Sequence, residues 1–385
     1  MSGETASGEQ IASPMDPRTE RVGELSVIGG GVVGLTCALS AADRGWRVRV
    51  FDAGPQERAA HVAGGMLGCF AEGHPGEDRL LAISRDSVAR WPALLERLGD
   101  PTVRTAADSL LIGAAPADLE HLRTQVRFGL STSPGDADRL PAMTPAELRA
   151  AEPALVRGVA GGFHAVGEGS LDNRRLIAAL QRALKSRGVI WERGRVTDLS
   201  TIPGDQVLVA AGLGSRRLLP SVELRGEKGE ILRLRRTRWS VPPPTHVIRA
   251  RWHGRALYLV PRDDGVVVGA TQYEAYDDGD RMPLAGGVGD LLADAAELMP
   301  GLRTYELAEA GAGIRPSSPD GVPVVRRVDE RILVAAGHGR NGIALAPWTA
   351  ARVAALLRPP DRRGPDSRVD PIATDNTDNR EPTWN

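Results

Sequence analysis

The 385-residue chain is poor in cysteine, lysine and aromatic residues and has no long apolar run. Its only cysteines are Cys37 and Cys69. Two cysteines build no disulfide framework, and with Cys37 inside a predicted helix they give no cysteine-rich metal site, so no metal is expected. A reducing cytoplasm fits this usage best. Only Lys185 and Lys228 are lysines and the other cations are arginines, which, with the richness in Ala and Gly, reads as coding bias rather than function. No segment reaches the ~20 apolar residues of a membrane span, so no membrane span is expected. Met1–Val22 is polar and lacks the apolar centre of a secretory signal. Residues 1–22 therefore read as a disordered leader, and 358–385, rich in Pro, Asp, Arg and Asn, as a flexible tail. A formal net charge of -1 gives no electrostatic reason to expect nucleic acid or an anionic membrane as partner.

What is present is ordinary for a globular protein, 42% hydrophobic and 25% charged residues, in a chain long enough for two core-bearing lobes. The informative stretch is 25–52. An apolar run Leu25-Ser26-Val27-Ile28 leads into Gly29-Gly30-Gly31-Val32-Val33-Gly34, then an amphipathic stretch, then Val48-Arg49-Val50-Phe51-Asp52. This order of strand, glycine turn, helix, strand and acid is what a dinucleotide requires. Gly29 permits the tight turn, Gly31 removes a Cβ that would block the pyrophosphate, and Gly34 lets helix and strand pack closely. Asp52 is placed to accept hydrogen bonds from a ribose hydroxyl pair and to repel a 2′-phosphate. The flanks agree, since Ala38, Ala41 and Ala42 give a small helix face and Gly45 ends the helix.

Further along, apolar spacing predicts helices over 77–98, 116–128 and 171–187, with two short helix starts between Pro141 and Pro153. Val207 to Gly214 and Ile332 to Gly337 read as buried parallel strands ending in glycine, as strands do when they deliver backbone to a ligand. Alternating strands dominate 229–270, a helix is predicted over 290–299, and a closing helix over 342–357. The expected class is α/β, with a Rossmann-like nucleotide-binding domain on a parallel sheet. A second, α+β domain is built on a mixed, mostly antiparallel sheet. The first domain is assembled from 23–105, 160–225 and 310–357, the second from 106–159 and 226–309. A ligand pocket is expected between them.

Four more segments bear on chemistry: Ala63-Gly64-Gly65-Met66-Leu67; Tyr258-Leu259-Val260-Pro261-Arg262; Gly313-Ile314-Arg315-Pro316 with Pro319-Asp320-Gly321; and Gly337-His338-Gly339-Arg340-Asn341-Gly342. In this order, with the N-terminal turn, the set resembles the glycine oxidase branch of the D-amino acid oxidase flavoprotein family, especially the oxidases of thiamine biosynthesis. The resemblance spans roughly residues 25–357. It implies non-covalent FAD, with a small amino acid stacked against the isoalloxazine ring and molecular oxygen as second substrate. By that resemblance Val32 and Val33 approach the pyrophosphate, Asp52 the ribose, and Val196 the adenine, with Ala53 also at the cofactor. Gly64, Gly65 and Met66 approach the flavin, with Ala211 and Gly212 also at the cofactor. His338, Gly339, Arg340, Asn341, Gly342 and Ile343 line its pyrimidine side with backbone amides from a helix start, which would stabilise the negative charge of a reduced flavin.

Arg315 matches the family's carboxylate-binding arginine, and a planar guanidinium grips a carboxylate with two parallel hydrogen bonds. Tyr258 matches the tyrosine whose hydroxyl holds the same carboxylate; the alternative is a tyrosine of the sheet core. Arg340 either contacts substrate or only braces the flavin loop. Met66 either walls the substrate's α-carbon side or packs the core. His338 is given no general-base role. Departures from the family pattern are Asp52 where glutamate is frequent, His61-Val62 where small hydroxyl residues are common, and Gln272 where methionine can sit. Cys69 is expected to be a buried thiol, not a flavin attachment.

The activity implied is oxidation of glycine, other small amino acids or N-methylglycine to the imine or oxo acid, with oxygen reduced to hydrogen peroxide, feeding thiamine (thiazole) synthesis in a homo-oligomer. The alternatives are a D-amino acid or sarcosine oxidase, an FAD-dependent dehydrogenase passing electrons to a quinone, and a non-catalytic flavoprotein.

Overall fold

The computed structural model describes residues 22–131, 134–275 and 278–360. Apart from Val22 and residues 358–360, the expected leader and tail lie outside the described residues. Two sheets organise the chain, and a two-stranded ribbon (Arg104–Ala106 with Ser170–Leu171) lies apart from both.

The first sheet has six strands in the order Val324–Arg327, Ile332–Ala336, Gln206–Val209, Glu24–Ile28, Arg47–Asp52, Ile190–Arg193. All neighbours are parallel except the first pair. The central strands are apolar on both faces because helices cover them, as parallel sheets require. Helix Val32–Ala42, rich in small residues, is buried almost all round, packed between Asn173–Lys185 and Ala346–Leu356. Asn173–Lys185 shows the spacing read from the sequence. Leu176, Ile177, Leu180 and Leu184 are buried, and the Asp172 carboxylate caps its start by accepting from the amides of Arg174 and Arg175, both at 2.9 Å.

The second sheet has nine strands and is antiparallel except where Val247–Trp252 runs parallel to Ser109–Gly113. Its long strands Arg225–Arg235 and Glu306–Ser317 pair along their whole length, and Arg225–Arg235 continues through Gly265–Gly269 to Arg255–Arg262. Helix Ala285–Leu298 packs on this sheet.

Several boundaries differ from the sequence reading. Strand Gly161–Ala165 pairs with Ser109–Gly113 in the nine-stranded sheet, and Glu306–Ser317 lies wholly in it, so the spans 160–225 and 310–357 each contribute to the larger sheet as well. The stretch 141–153 forms one short strand and one helix, Pro145–Ala151, rather than two helix starts. The helix expected over 290–299 begins at Ala285, where glycines hide the periodicity. Gly287 is needed because a Cβ there would collide with the Glu230 carboxylate, whose other oxygen accepts from the Leu284 amide at 2.6 Å. The closing helix starts at Ala346, not 342. Residues 339–341 make a single 3₁₀ turn and 342–345 a further turn before the helix proper.

Candidate active site

A cavity of about 770 Å³ lies between the two sheets and takes its walls from both. Every sequence-predicted site residue lines it except Gly34. Gly34 lies behind it, where a Cβ would strike the carbonyl of Gly29; its contribution is the close helix–strand packing the sequence predicts.

At one end the glycine turn leaves the strand Glu24–Ile28. Gly29 has φ +122° and sits against the Ala210 carbonyl, so no other residue fits there. Gly31 is different, because a Cβ on it would meet nothing within 4 Å, and it opens on the cavity. Gly31 offers no side-chain cap to helix Val32–Ala42, so the first amides of that helix are left for an anionic ligand. Such a cradle fits the pyrophosphate of FAD. Asp52 borders the same end, with Ala53 beside it and Val196 also in the wall. The Asp52 carboxylate accepts from the Gly54 amide at 3.2 Å and is paired with Arg58. The sequence reading did not single out Arg58, since no motif marks a loop residue whose partner is Asp52.

At the other end Tyr258 projects from strand Arg255–Arg262. Its ring lies over Gly64 and Gly269, and a Cβ on Gly64 would come within 3.0 Å of it. The hydroxyl makes no hydrogen bond among the described residues. Burial pushes the phenol above its ordinary value, with nearby Arg315 pulling the other way, so at neutral pH it remains a donor. Arg315 rises from Glu306–Ser317 over Gly229, where a side chain would displace the guanidinium. Its one hydrogen bond is to the Thr271 carbonyl at 3.3 Å, and it has no carboxylate partner among the described residues.

Arg340 is situated otherwise. Its guanidinium donates to the Glu72 carbonyl at 3.0 Å and to Glu77 Oε2 at 3.3 Å, and lies 3.5 Å from Glu72 Oε2. These contacts tie the segment 338–343 to the loop 72–77, the bracing arrangement. Glu72 is also paired with Arg249, and the two arginines hold its carboxyl below the usual range despite burial. No pattern in the sequence marks Glu72 or Arg249.

Met66 both lines the cavity and packs, with Val62, Tyr258 and Ala270, against the buried cluster of Ala106, Ile231, Val247, Val260 and Val267. His338 is buried, with Nε2 2.8 Å from the Thr349 hydroxyl, and burial pushes it down to about 4. Its neutral ring is a packing and hydrogen-bonding group. Ala211 and Gly212 close the side of the cavity at the end of Gln206–Val209, and Gly339, Asn341, Gly342 and Ile343 the side after Ile332–Ala336. The backbone there is a 3₁₀ turn rather than the helix start expected. Cys69 is buried with Sγ 3.1 Å from Glu168 Oε1. Gln272 borders the cavity 3.5 Å from Glu227 Oε2. Among the described residues no cluster of metal-ligating side chains occurs, and no helix is long and apolar enough to cross a membrane.

Known proteins share this arrangement. Residues 24–356 match the DAO family model, FAD dependent oxidoreductase. The chain is 31% identical over 364 residues to a glycine oxidase of Geobacillus kaustophilus, covering 87% of this chain and 92% of that protein. It is also 31% identical over 359 residues to a bifunctional protein ThiO/ThiG of Nostoc sp., covering 87% of this chain and 52% of that one, so it spans about half of such bifunctional relatives. The crystal structure of glycine oxidase from Geobacillus kaustophilus superposes with a TM-score of 0.75 at 28% identity, over 87% of this chain and 94% of that one. With the cradle, the two-sheet cavity and the match along nearly all of the described chain, the protein belongs to the DAO family of FAD-dependent oxidoreductases.

Proposed function

We propose that the chain is a glycine oxidase-like enzyme. In this reading it oxidises glycine, other small amino acids or N-methylglycine to the imine and then the oxo acid, with oxygen reduced to hydrogen peroxide, in the service of thiazole synthesis for thiamine. The observation that carries this reading is Arg315, a guanidinium with no carboxylate partner among the described residues, on the cavity wall near the unbonded hydroxyl of Tyr258. A carboxylate placed there gains a charge-assisted pair and a phenolic hydrogen bond, and both define its orientation. The glycine oxidase likeness along most of the chain supports the same reading.

Bound FAD supplies a two-electron acceptor. The residues position the substrate: Arg315 and Tyr258 hold the carboxylate, Met66 walls the α-carbon side, and the Cα hydrogen leaves with its electron pair while the neutral amine lends its own pair to form the imine. No side chain needs to act as general base on carbon, in keeping with a neutral, buried His338. Arg340, satisfied by Glu72 and Glu77, serves as a positioning residue for the segment 338–343. In this division the six-stranded sheet and its glycine turn hold the cofactor, and the nine-stranded sheet holds the substrate.

Anaerobic mixing with glycine, following the oxidised-flavin absorbance, tests the proposal. Bleaching, then rapid recovery with peroxide on admitting air, is the expected result. Bleaching without recovery makes the chain a dehydrogenase that uses a quinone or protein acceptor. If glycine leaves the flavin oxidised, sarcosine and D-alanine decide between the neighbouring substrate classes. A cytoplasmic location and a homo-oligomeric state belong to the same reading and are tested by fractionation and light scattering.

A further inference from the structure

Behind the Gly64–Met66 loop lies a buried cluster that the reading above leaves without a role. Arg262, at the end of the strand that carries Tyr258, is 7% exposed. Its Nη2 donates to the carbonyl of Gly64 at 2.9 Å and reaches Asn173 Oδ1 at 3.3 Å, and its Nη1 donates to the Pro261 carbonyl at 2.9 Å. Its Nε lies 3.3 Å from Asp172 Oδ2, a charge contact without the alignment of a hydrogen bond. Asn173 is wholly buried and grips the preceding stretch of the loop, donating to the carbonyls of Ala60 at 2.6 Å and His61 at 2.9 Å. Its Oδ1 also accepts from Arg233 at 3.1 Å.

Tyr258 and Arg262 stand four residues apart on one strand and so face the same side of the sheet. Gly64 is held at both places, under the Tyr258 ring and at the Arg262 guanidinium. We propose that Arg262, seated by Asn173 and Asp172, is a positioning residue for the reaction, clamping the Gly64–Met66 wall of the cofactor cavity in register with the substrate-binding hydroxyl of Tyr258. Its charge adds a second effect. Among the described residues Arg262, Arg233 and Arg174 are paired with the carboxylates of Asp172 and Glu309, three cations to two anions behind the loop. A buried cation there favours the reduced, more negative state of a flavin on the other side of the loop. Burial next to other guanidiniums already pushes Arg262 down to about 10, yet it remains charged at neutral pH.

The test compares Arg262→Met, Arg262→Lys, Asn173→Ala and, as a control for stability alone, Arg175→Met. Arg175 ties the same helix to Asp263, next to Arg262, at 2.6 Å, but does not touch the loop. In Arg262→Met the flavin reduction potential should fall by about 30 mV, a tenfold shift in the two-electron equilibrium. Turnover should drop at least tenfold while KM moves less than about threefold, because a misplacement of ~1 Å costs about a hundredfold in rate. Arg262→Lys should restore the potential but only part of kcat, since an ammonium replaces charge without the fork. Asn173→Ala should lower kcat at unchanged potential and keeps the test open if Arg262→Met does not fold. Arg175→Met should lower Tm only. Wild-type potential and kcat in both Arg262→Met and Asn173→Ala, or equal losses in Arg175→Met, would overturn the proposal. The kinetic comparison rests on the amino acid oxidase reading; the potential, poised with dithionite, rests on FAD binding alone, so the two can fail separately.

Discussion

Two arginines that look equivalent in a chain full of arginine are separated by their partners. Arg340 is satisfied by Glu72 and Glu77, while Arg315 has, among the described residues, only the Thr271 carbonyl. Removing Arg315 should therefore act on substrate and not on cofactor. Two charge-assisted hydrogen bonds at ~1.5 kcal/mol or more each predict that Arg315→Ala raises KM for glycine about a hundredfold or more. FAD should stay bound and the flavin spectrum unchanged, and Tyr258→Phe should raise KM about tenfold. Unchanged glycine turnover in Arg315→Ala would show that the carboxylate is held elsewhere. Arg315 and Tyr258 were legible only because the motifs that carry them match the family's, since their surroundings, Gly64 and Gly269 for Tyr258 and Gly229 and Thr271 for Arg315, come from other segments. Arg58, Glu72 and Arg262 were not legible as parts of the site, because each acquires its role from a partner in a different segment.

His338 illustrates a residue whose protonation carries stability rather than chemistry. Its folded pKa of about 4 lies below the ordinary 6.5, so between these values the unfolded chain binds a proton that the folded chain refuses. Stability is unaffected by this group above pH 6.5 and is lost as pH falls from 6.5 toward 4, by at most about 1.4 kcal/mol per pH unit. Urea midpoints of the wild type and His338→Gln across that window check this. The wild type should show the steeper acid loss, and parallel slopes would refute the assignment.

At the level of elements, the glycine turn separates folding from binding. Gly29 has a positive φ and meets the Ala210 carbonyl, whereas a Cβ on Gly31 has open cavity around it. Gly29→Ala should destabilise the apoprotein, by about 1–3 kcal/mol or more from overpacking and strain. Gly31→Ala should leave apoprotein Tm unchanged and weaken FAD binding, read by fluorescence titration of the released flavin. The form of this unit was legible because strand, turn and helix follow one another in sequence, although the Ala210 carbonyl that crowds Gly29 comes from another strand. The start of Ala285–Leu298 was not, because its amide is capped by Glu230, from a strand far back in the chain, and its glycines interrupt the apolar period.

For the whole molecule, the two-sheet plan was readable, but the seam between the sheets was not. Gly161–Ala165 and Glu306–Ser317 join the larger sheet through pairings that no local pattern specifies, and Glu306–Ser317 carries Arg315 from that sheet to the cavity that the glycine turn borders. The cavity is thus a shared wall, and filling it links the two halves. Removal of FAD should lower Tm by roughly 5 °C relative to saturated protein. Saturation at a thousandfold over Kd contributes about 4 kcal/mol, and each kcal/mol moves Tm by only about 1 °C in a chain of 385 residues. The increment should persist in Arg315→Ala, whose lesion is confined to substrate, and shrink in Gly31→Ala, whose lesion is confined to the cofactor cradle. Differential scanning of the three proteins with and without FAD separates these outcomes, and an equal increment in Gly31→Ala would place the pyrophosphate away from the glycine turn.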